Sequence, residues 1–197
     1  MTRSSMTRSS MTCSSSRILL SGGCKNGKSF LAQRLACDRR APGAPLYYVA
    51  TMRPADGEDN ARIKRHVAER AGWGFVTLEQ PVDCLALLQK ADAQGSFLFD
   101  SVTALLANEM FVGGGEVSVS RAERAGARVA LELTELCAAL PHIVFVSDFI
   151  FSDGGMYDPL TECYRRALAA CDRTLAAACD VVVEVAAGMT LAHRGEL

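Results

Sequence analysis

The run Gly22-Gly23-Cys24-Lys25-Asn26-Gly27-Lys28-Ser29 constrains this chain more than any other segment. It follows a short apolar stretch, Arg17-Ile18-Leu19-Leu20-Ser21, and leads into Phe30, Leu31 and Leu35, which recur at helical spacing. A glycine, four residues and then Gly-Lys-Ser between a strand and a helix is the pattern and the setting of a phosphate-binding loop. Glycines let the backbone wrap phosphates, and the N–H groups and the helix N-terminus face negative charge. Lys28 then reaches the terminal phosphates and Ser29 offers its hydroxyl to magnesium. A bland glycine turn would not need Lys28 and Ser29 side by side. Cys24 and Lys25 have no separate role on this argument.

Beyond the loop, short apolar runs alternate with helical periodicity. Leu46 to Ala50, Gly74 to Leu78, Ser96 to Asp100, Ile143 to Ser147 and Val181 to Val185 read as strands, the last one closing the fold. Helices are expected over Ala61 to Ala71, Val82 to Ala91 and Val102 to Met110. Another carries Val129, Leu133, Leu136 and Leu140, and a further one carries Leu160, Tyr164, Leu168, Cys171 and Leu175. Strands apolar on both faces and separated by helices imply an α/β fold with a parallel sheet covered on both sides. The thrice-repeated pentad at the start is polar and aperiodic, so residues 1–16 read as a disordered extension and 17–197 as one nucleotide-binding catalytic domain.

Composition narrows the partners. The formal net charge of the 197 residues is −1, so no global field favours nucleic acid or an anionic membrane. No apolar stretch approaches a membrane span and the N-terminus has no secretory apolar region, which makes the cytoplasm the expected location. The eight cysteines form no CxxC or CxxH pair and read as reduced thiols; zinc is not expected. Cys163, Cys171 and Cys179 step eight residues at a time, which fits core packing and not one ligand face. His142 and His193 read as structural or exposed.

Two further places could carry chemistry. Asp100 ends an apolar strand, where it either assists magnesium beside the loop or caps the following helix. Arg62, His66 and Arg70 share one helical face. Two guanidiniums disfavour imidazolium, leaving a neutral, nucleophilic ring between phosphate-gripping groups. The alternative is a solvated basic face paired with Glu58, Asp59 and Glu69.

Taken in order, these motifs resemble the bifunctional adenosylcobinamide kinase/adenosylcobinamide-phosphate guanylyltransferases of cobalamin biosynthesis, from about Ile18 to Gly195. The phosphate loop, Tyr48-Val49-Ala50-Thr51, Ala61-Arg62-Ile63 with His66 and Arg70, Thr77-Leu78-Glu79, Asp100-Ser101-Val102-Thr103 and Val144-Phe145-Val146-Ser147 carry the likeness. Phe151-Ser152-Asp153-Gly154, Tyr157-Asp158, Thr161-Glu162 and Tyr164-Arg165 resemble a subgroup with an IFSDG loop. The resemblance implies a P-loop, RecA-like, mostly parallel sheet with helices on both faces, usually a homotrimer. It implies ATP, GTP and Mg2+ as reactants, and adenosylcobinamide and its phosphate as substrates. His66 matches the guanylylated histidine. Gly22 to Ser29 match the triphosphate site, with Lys28 catalytic. Ala50, Thr51 and Met52, then Val67, Ala68, Glu69 and Arg70 with Arg62, and finally Glu79 and Asp100 match nucleotide contacts; Ser29 and Asp100 match the metal side. Where many relatives have Ser-Asn-Glu-Val-Gly after the fifth strand, this chain has Ser147-Asp148-Phe149-Ile150, so the role of that Asn or Glu does not carry over; Asp148 is the residue that could substitute, and Phe149 cannot act as an acid.

Two other functions fit the loop. A monofunctional P-loop small-molecule kinase would survive loss of His66, and a non-catalytic, nucleotide-responsive RecA-like interaction protein would change assembly without making product.

Overall fold

Strand alternation sorts the apolar residues onto two faces, and the sheet follows from that sorting. The computed structural model describes residues 16–53, 72–111 and 117–197. Ser16–Gly22 (β1), Leu46–Ala50 (β2), Val76–Glu79 (β3), Ser96–Asp100 (β4), His142–Asp148 (β5), Val181–Ala186 (β6) and Met189–Arg194 (β7) form one seven-stranded sheet in the order β3-β2-β4-β5-β1-β6-β7. Every neighbouring pair is parallel except β6 with β7.

One face buries Ile18, Leu20, Leu98, Val144 and Val146 against Ala32, Leu35 and Ala36 of α1 (Lys28–Asp38). The other buries Leu19, Phe97, Phe99, Ile143 and Phe145. That face lies beneath α3 (Val102–Phe111), α4 (Val119–Ala139) and α5 (Pro159–Ala178). Residues one apart along each strand therefore go to opposite layers, as the two-residue repeat requires. Helices cover both faces of a mostly parallel sheet, as expected.

Local chemistry sets the helix ends. Asp158 accepts from the N–H groups of Leu160 and Thr161 at 3.0 and 3.1 Å and Pro159 opens α5, a start with its orphan donors satisfied. Ser118 does the same for α4 through the N–H of Arg121. Gly126 lets α4 approach α5, since a Cβ there would lie 2.7 Å from that of Ala167.

Four expectations need correction. Val181–Ala186 does not close the sheet: Ala187 and Gly188, at φ 51° and 78°, turn the chain back into the antiparallel edge strand β7. Phe30 is not part of the buried stripe of α1; it is 61% exposed and meets Trp73 edge-on. It sits about 200° around the helix from Ala32, opposite the buried face. The Val82 to Ala91 helix is a 3-10 turn over Cys84–Ala86 followed by α2 (Leu87–Lys90), because Asp83 takes a left-handed φ of 51°. Ser16 belongs to β1, not to the N-terminal extension. The expected helix over Ala61 to Ala71 and the rest of that extension lie outside the described residues.

Among the described residues no cysteine is bridged. All seven described cysteines are free, and Cys163, Cys171 and Cys179 are buried in the core. No group of three or more His, Cys, Asp or Glu side chains that could hold a metal occurs there. No described helix is long and apolar enough to cross a membrane.

Candidate active site at the carboxyl ends of the strands

β1 delivers Gly22 to the carboxyl edge of the sheet, between β5 and β6. Gly22 must lack a side chain, because a Cβ would run into the carbonyl oxygen of Val185 on β6. Gly27, at φ 87°, takes the left-handed turn that starts α1. Asn26 ties the loop to the same strand, its Nδ2 donating to the Val185 carbonyl at 3.3 Å. Cys24 and Lys25 are exposed on the outer turn of the loop. Ser29 lies in the first turn of α1, partly exposed.

Lys28 does not project into solvent. It is 5% exposed, and its Nζ donates to the carbonyls of Gly22 and Gly23 at 2.8 and 2.7 Å and to Asp148 Oδ1 at 2.9 Å. The β1–β5 register makes this meeting, pairing Gly22 with Asp148. Asp148 is itself pinned: its N–H donates to Thr103 Oγ1 at 2.9 Å, and the next residue's N–H donates back to the Gly22 carbonyl. Tyr164 donates to the Thr103 carbonyl at 3.0 Å and so braces that support from α5.

Asp100 ends β4, one strand beyond β5, and accepts from the Tyr48 hydroxyl at 2.9 Å. Ala50 ends β2 beside it, paired with both Asp100 and Glu79. Glu79 is exposed at the end of β3, two strands from Asp100. Met52 is partly exposed just beyond β2. Thr51 is fully buried: its Oγ1 donates to the Ser101 carbonyl and accepts from the Ser101 N–H, while its own carbonyl accepts from Asn108. It therefore shapes the β2 and β4 ends from inside. Strand ends thus gather the loop, Ala50, Met52, Glu79 and Asp100 along one edge, the crevice where open α/β sheets bind ligands. Arg62, His66, Val67, Ala68, Glu69 and Arg70 lie outside the described residues.

Three features of this region are absent from the sequence reading. In sequence Asp148 stands out as the one residue that could substitute for the relatives' Asn or Glu; its contact with Lys28 joins residues far apart along the chain and needs the strand register to be seen. Arg165 is buried and holds the segment after β5 in place, bonding the Ile150 carbonyl, Glu162 and Asp153 Oδ1, with its guanidinium 4.6 Å from the Tyr157 ring centroid. Asp172 on α5 is 8% exposed and accepts weakly from Ser21, the residue just before the loop, at 3.4 Å. Burial pushes its carboxyl up to about 6.

A strand–loop–helix phosphate cradle with a buried lysine, on a mostly parallel sheet, defines a P-loop nucleotide-binding protein. Residues 18–193 match the family described as CobU, cobinamide kinase / cobinamide phosphate guanyltransferase, and the chain belongs to that family. A 94-residue stretch is 42% identical to the bifunctional adenosylcobalamin biosynthesis protein CobP of Pseudomonas aeruginosa. That stretch covers 47% of this chain and 51%, about half, of the relative's length. Among solved structures, the flagellar accessory protein FlaH from Methanocaldococcus jannaschii aligns over 92% of this chain and 79% of its own, with 15% identity and a TM-score of 0.43. A second solved structure, an ATPase domain, aligns over 85% of this chain and 68% of its own, with 10% identity and a TM-score of 0.46.

Proposed function

We propose that this chain phosphorylates adenosylcobinamide and then transfers GMP from GTP, through a guanylyl-histidine, to adenosylcobinamide phosphate, giving adenosylcobinamide-GDP. The observation that carries this reading is the phosphate loop, with Lys28 in its throat, lying within a family match that spans residues 18–193.

In the first reaction the N–H groups of the loop and of the α1 N-terminus hold the triphosphate, and Lys28 bonds its terminal phosphates. The Ser29 hydroxyl and the Asp100 carboxylate are hard oxygen donors at the loop and at a nearby strand end, the donor type that suits Mg2+. A site shared with phosphates and water needs only one or two protein ligands. Ser29 and Asp100 would hold Mg2+, which would supply charge neutralisation at the phosphoryl group. The aminopropanol hydroxyl of the substrate then attacks the γ-phosphorus. ATP and GTP both serve this reading, because nothing in the loop reads a base.

In the second reaction the His66 imidazole attacks the α-phosphorus of GTP, pyrophosphate leaves, and the phosphate of the phosphorylated substrate takes GMP from the histidine. Arg62 and Arg70, with the segment Val67, Ala68 and Glu69, hold phosphates there. Ala50, Met52 and Glu79 contribute nucleotide contacts, and Thr51 sets their strand ends from within. A homotrimer, a cytoplasmic location and a single domain over 17–197 belong to the same reading.

Product analysis with adenosylcobinamide tests it. Wild type with γ-labelled ATP or GTP gives labelled adenosylcobinamide phosphate, and Lys28→Ala reduces that rate by roughly 100-fold or more. His66→Ala keeps phosphorylation but makes no adenosylcobinamide-GDP. Full GDP-product formation by His66→Ala would reduce the chain to a kinase with another route to its second product.

A further inference from the structure

An ammonium has three N–H donors, and in this structure Lys28 uses all of them, on the Gly22 and Gly23 carbonyls and on Asp148 Oδ1. A triphosphate that enters the loop must take one of those bonds. The two carbonyls belong to the loop backbone, which is fixed at Gly22 to β5 by the Gly22–Asp148 register and to β6 by the close approach there, and is tied to β6 again through Asn26. Asp148 is different. Its backbone is pinned by Thr103 and by the pairing of β5 with β1, yet its side chain is 22% exposed and joined to that backbone only through two single bonds, about which a carboxylate can turn. The exchangeable partner of Lys28 is therefore the carboxylate.

We propose that Asp148 occupies Lys28 in the nucleotide-free loop, yields it to the incoming triphosphate, and then, as a released carboxylate beside the loop, accepts the proton of the attacking hydroxyl. The proposal rests on the kinase half of the function above. In that step the bond from the substrate hydroxyl oxygen to the γ-phosphorus forms and the bond from that phosphorus to the departing nucleoside diphosphate breaks. The hydroxyl proton passes to an Asp148 oxygen. Asp100 is placed less well for this duty, since it lies on the strand beyond β5 and holds the Tyr48 hydroxyl. A carboxylate that stands beside the phosphate-binding lysine and is partly open to solvent has the chemistry of a general base, a role that contributes about 10²–10⁴ in rate.

Asp148→Asn, which keeps the shape, and Asp148→Ala, which removes the group, test both halves, with thermal melting as the control for folding. Binding of a non-hydrolysable GTP analogue with magnesium should tighten in both, roughly fivefold or more in Asp148→Ala, because Lys28 no longer has a competing charge. Phosphoryl-transfer kcat should fall by about 100-fold or more in both. Tighter binding with slower turnover is a split that mere loosening of the loop cannot produce, since loosening weakens both. Weaker or unchanged binding overturns the exchange, and kcat within about threefold of wild type overturns the proton acceptor. If wild type binds the analogue but makes no phosphorylated corrinoid, the functional reading and the proton-acceptor role fall together, while the binding comparison still decides the exchange.

Discussion

The centre of the sheet and its β6–β7 edge are built on opposite terms. At the centre, β4, β5 and β1 have apolar residues buried on both faces, and their carboxyl ends carry Asp100, Asp148 and the loop. At the edge, every residue of β7 is exposed, including Met189 and Leu191. The edge is held by a turn, by the pairing with β6, and by Arg194, whose Nη1 donates to the carbonyls of Ala176, Ala177 and Cys179 at the end of α5. The candidate site therefore sits where the sheet is packed on two sides, whereas the edge strand is exposed along its whole length.

The sharpest test of that contrast is Phe145→Ala. This ring is fully buried and lies 5.5 Å, centroid to centroid, from Phe99, so its loss should cost about 3–5 kcal/mol in a denaturant melt. A cost near 1 kcal/mol would mean that the centre relaxes as easily as the edge.

A middle-sized effect is expected where α5 meets β1. The folded Asp172 carboxyl titrates at about 6 against an ordinary 3.8, so the folded form favours the neutral acid. Its contribution to stability is present below pH about 4 and is lost as pH rises through about 6. Asp172→Asn should then be more stable than wild type at pH 8, by roughly 1–3 kcal/mol, with the gap closing near pH 4. A constant gap between these pH values, read from paired urea melts, would place the carboxylate in contact with water.

The smallest effect belongs to the edge itself. Arg194→Ala removes a guanidinium from the C-terminal carbonyls of α5 and should cost about 0.5–1 kcal/mol, with nucleotide binding unchanged. A loss of several kcal/mol, or of binding, would show that the edge supports the loop directly.

The same contrast explains what is readable in the sequence. Ser96-Phe97-Leu98-Phe99-Asp100 and Ile18-Leu19-Leu20 are continuous apolar runs, and a strand buried on both faces can hardly read otherwise. Met189 to Arg194 carries no such run, and only the turn at Ala187-Gly188, with positive φ at both residues, makes it a strand. The loop is legible because its glycines and its Lys-Ser pair are contiguous. The Lys28–Asp148 pair is not, because its partners meet only through the β1–β5 register. Thr51 shows a different limit: a strand-end threonine looks like a ligand contact, and only the structure shows its hydroxyl turned inward onto Ser101. His66 and its arginines stand out by helical spacing and by resemblance, and they lie outside the described residues.

The central claim is that one chain carries both transfers, and it is tested most directly by incubating purified protein with α-labelled GTP and magnesium, denaturing it, and looking for label on the polypeptide. The account predicts acid-labile, base-stable label on wild type that disappears in His66→Ala. No label on folded wild type that binds GTP would contradict it and leave a phosphate-loop kinase without a guanylyl-histidine.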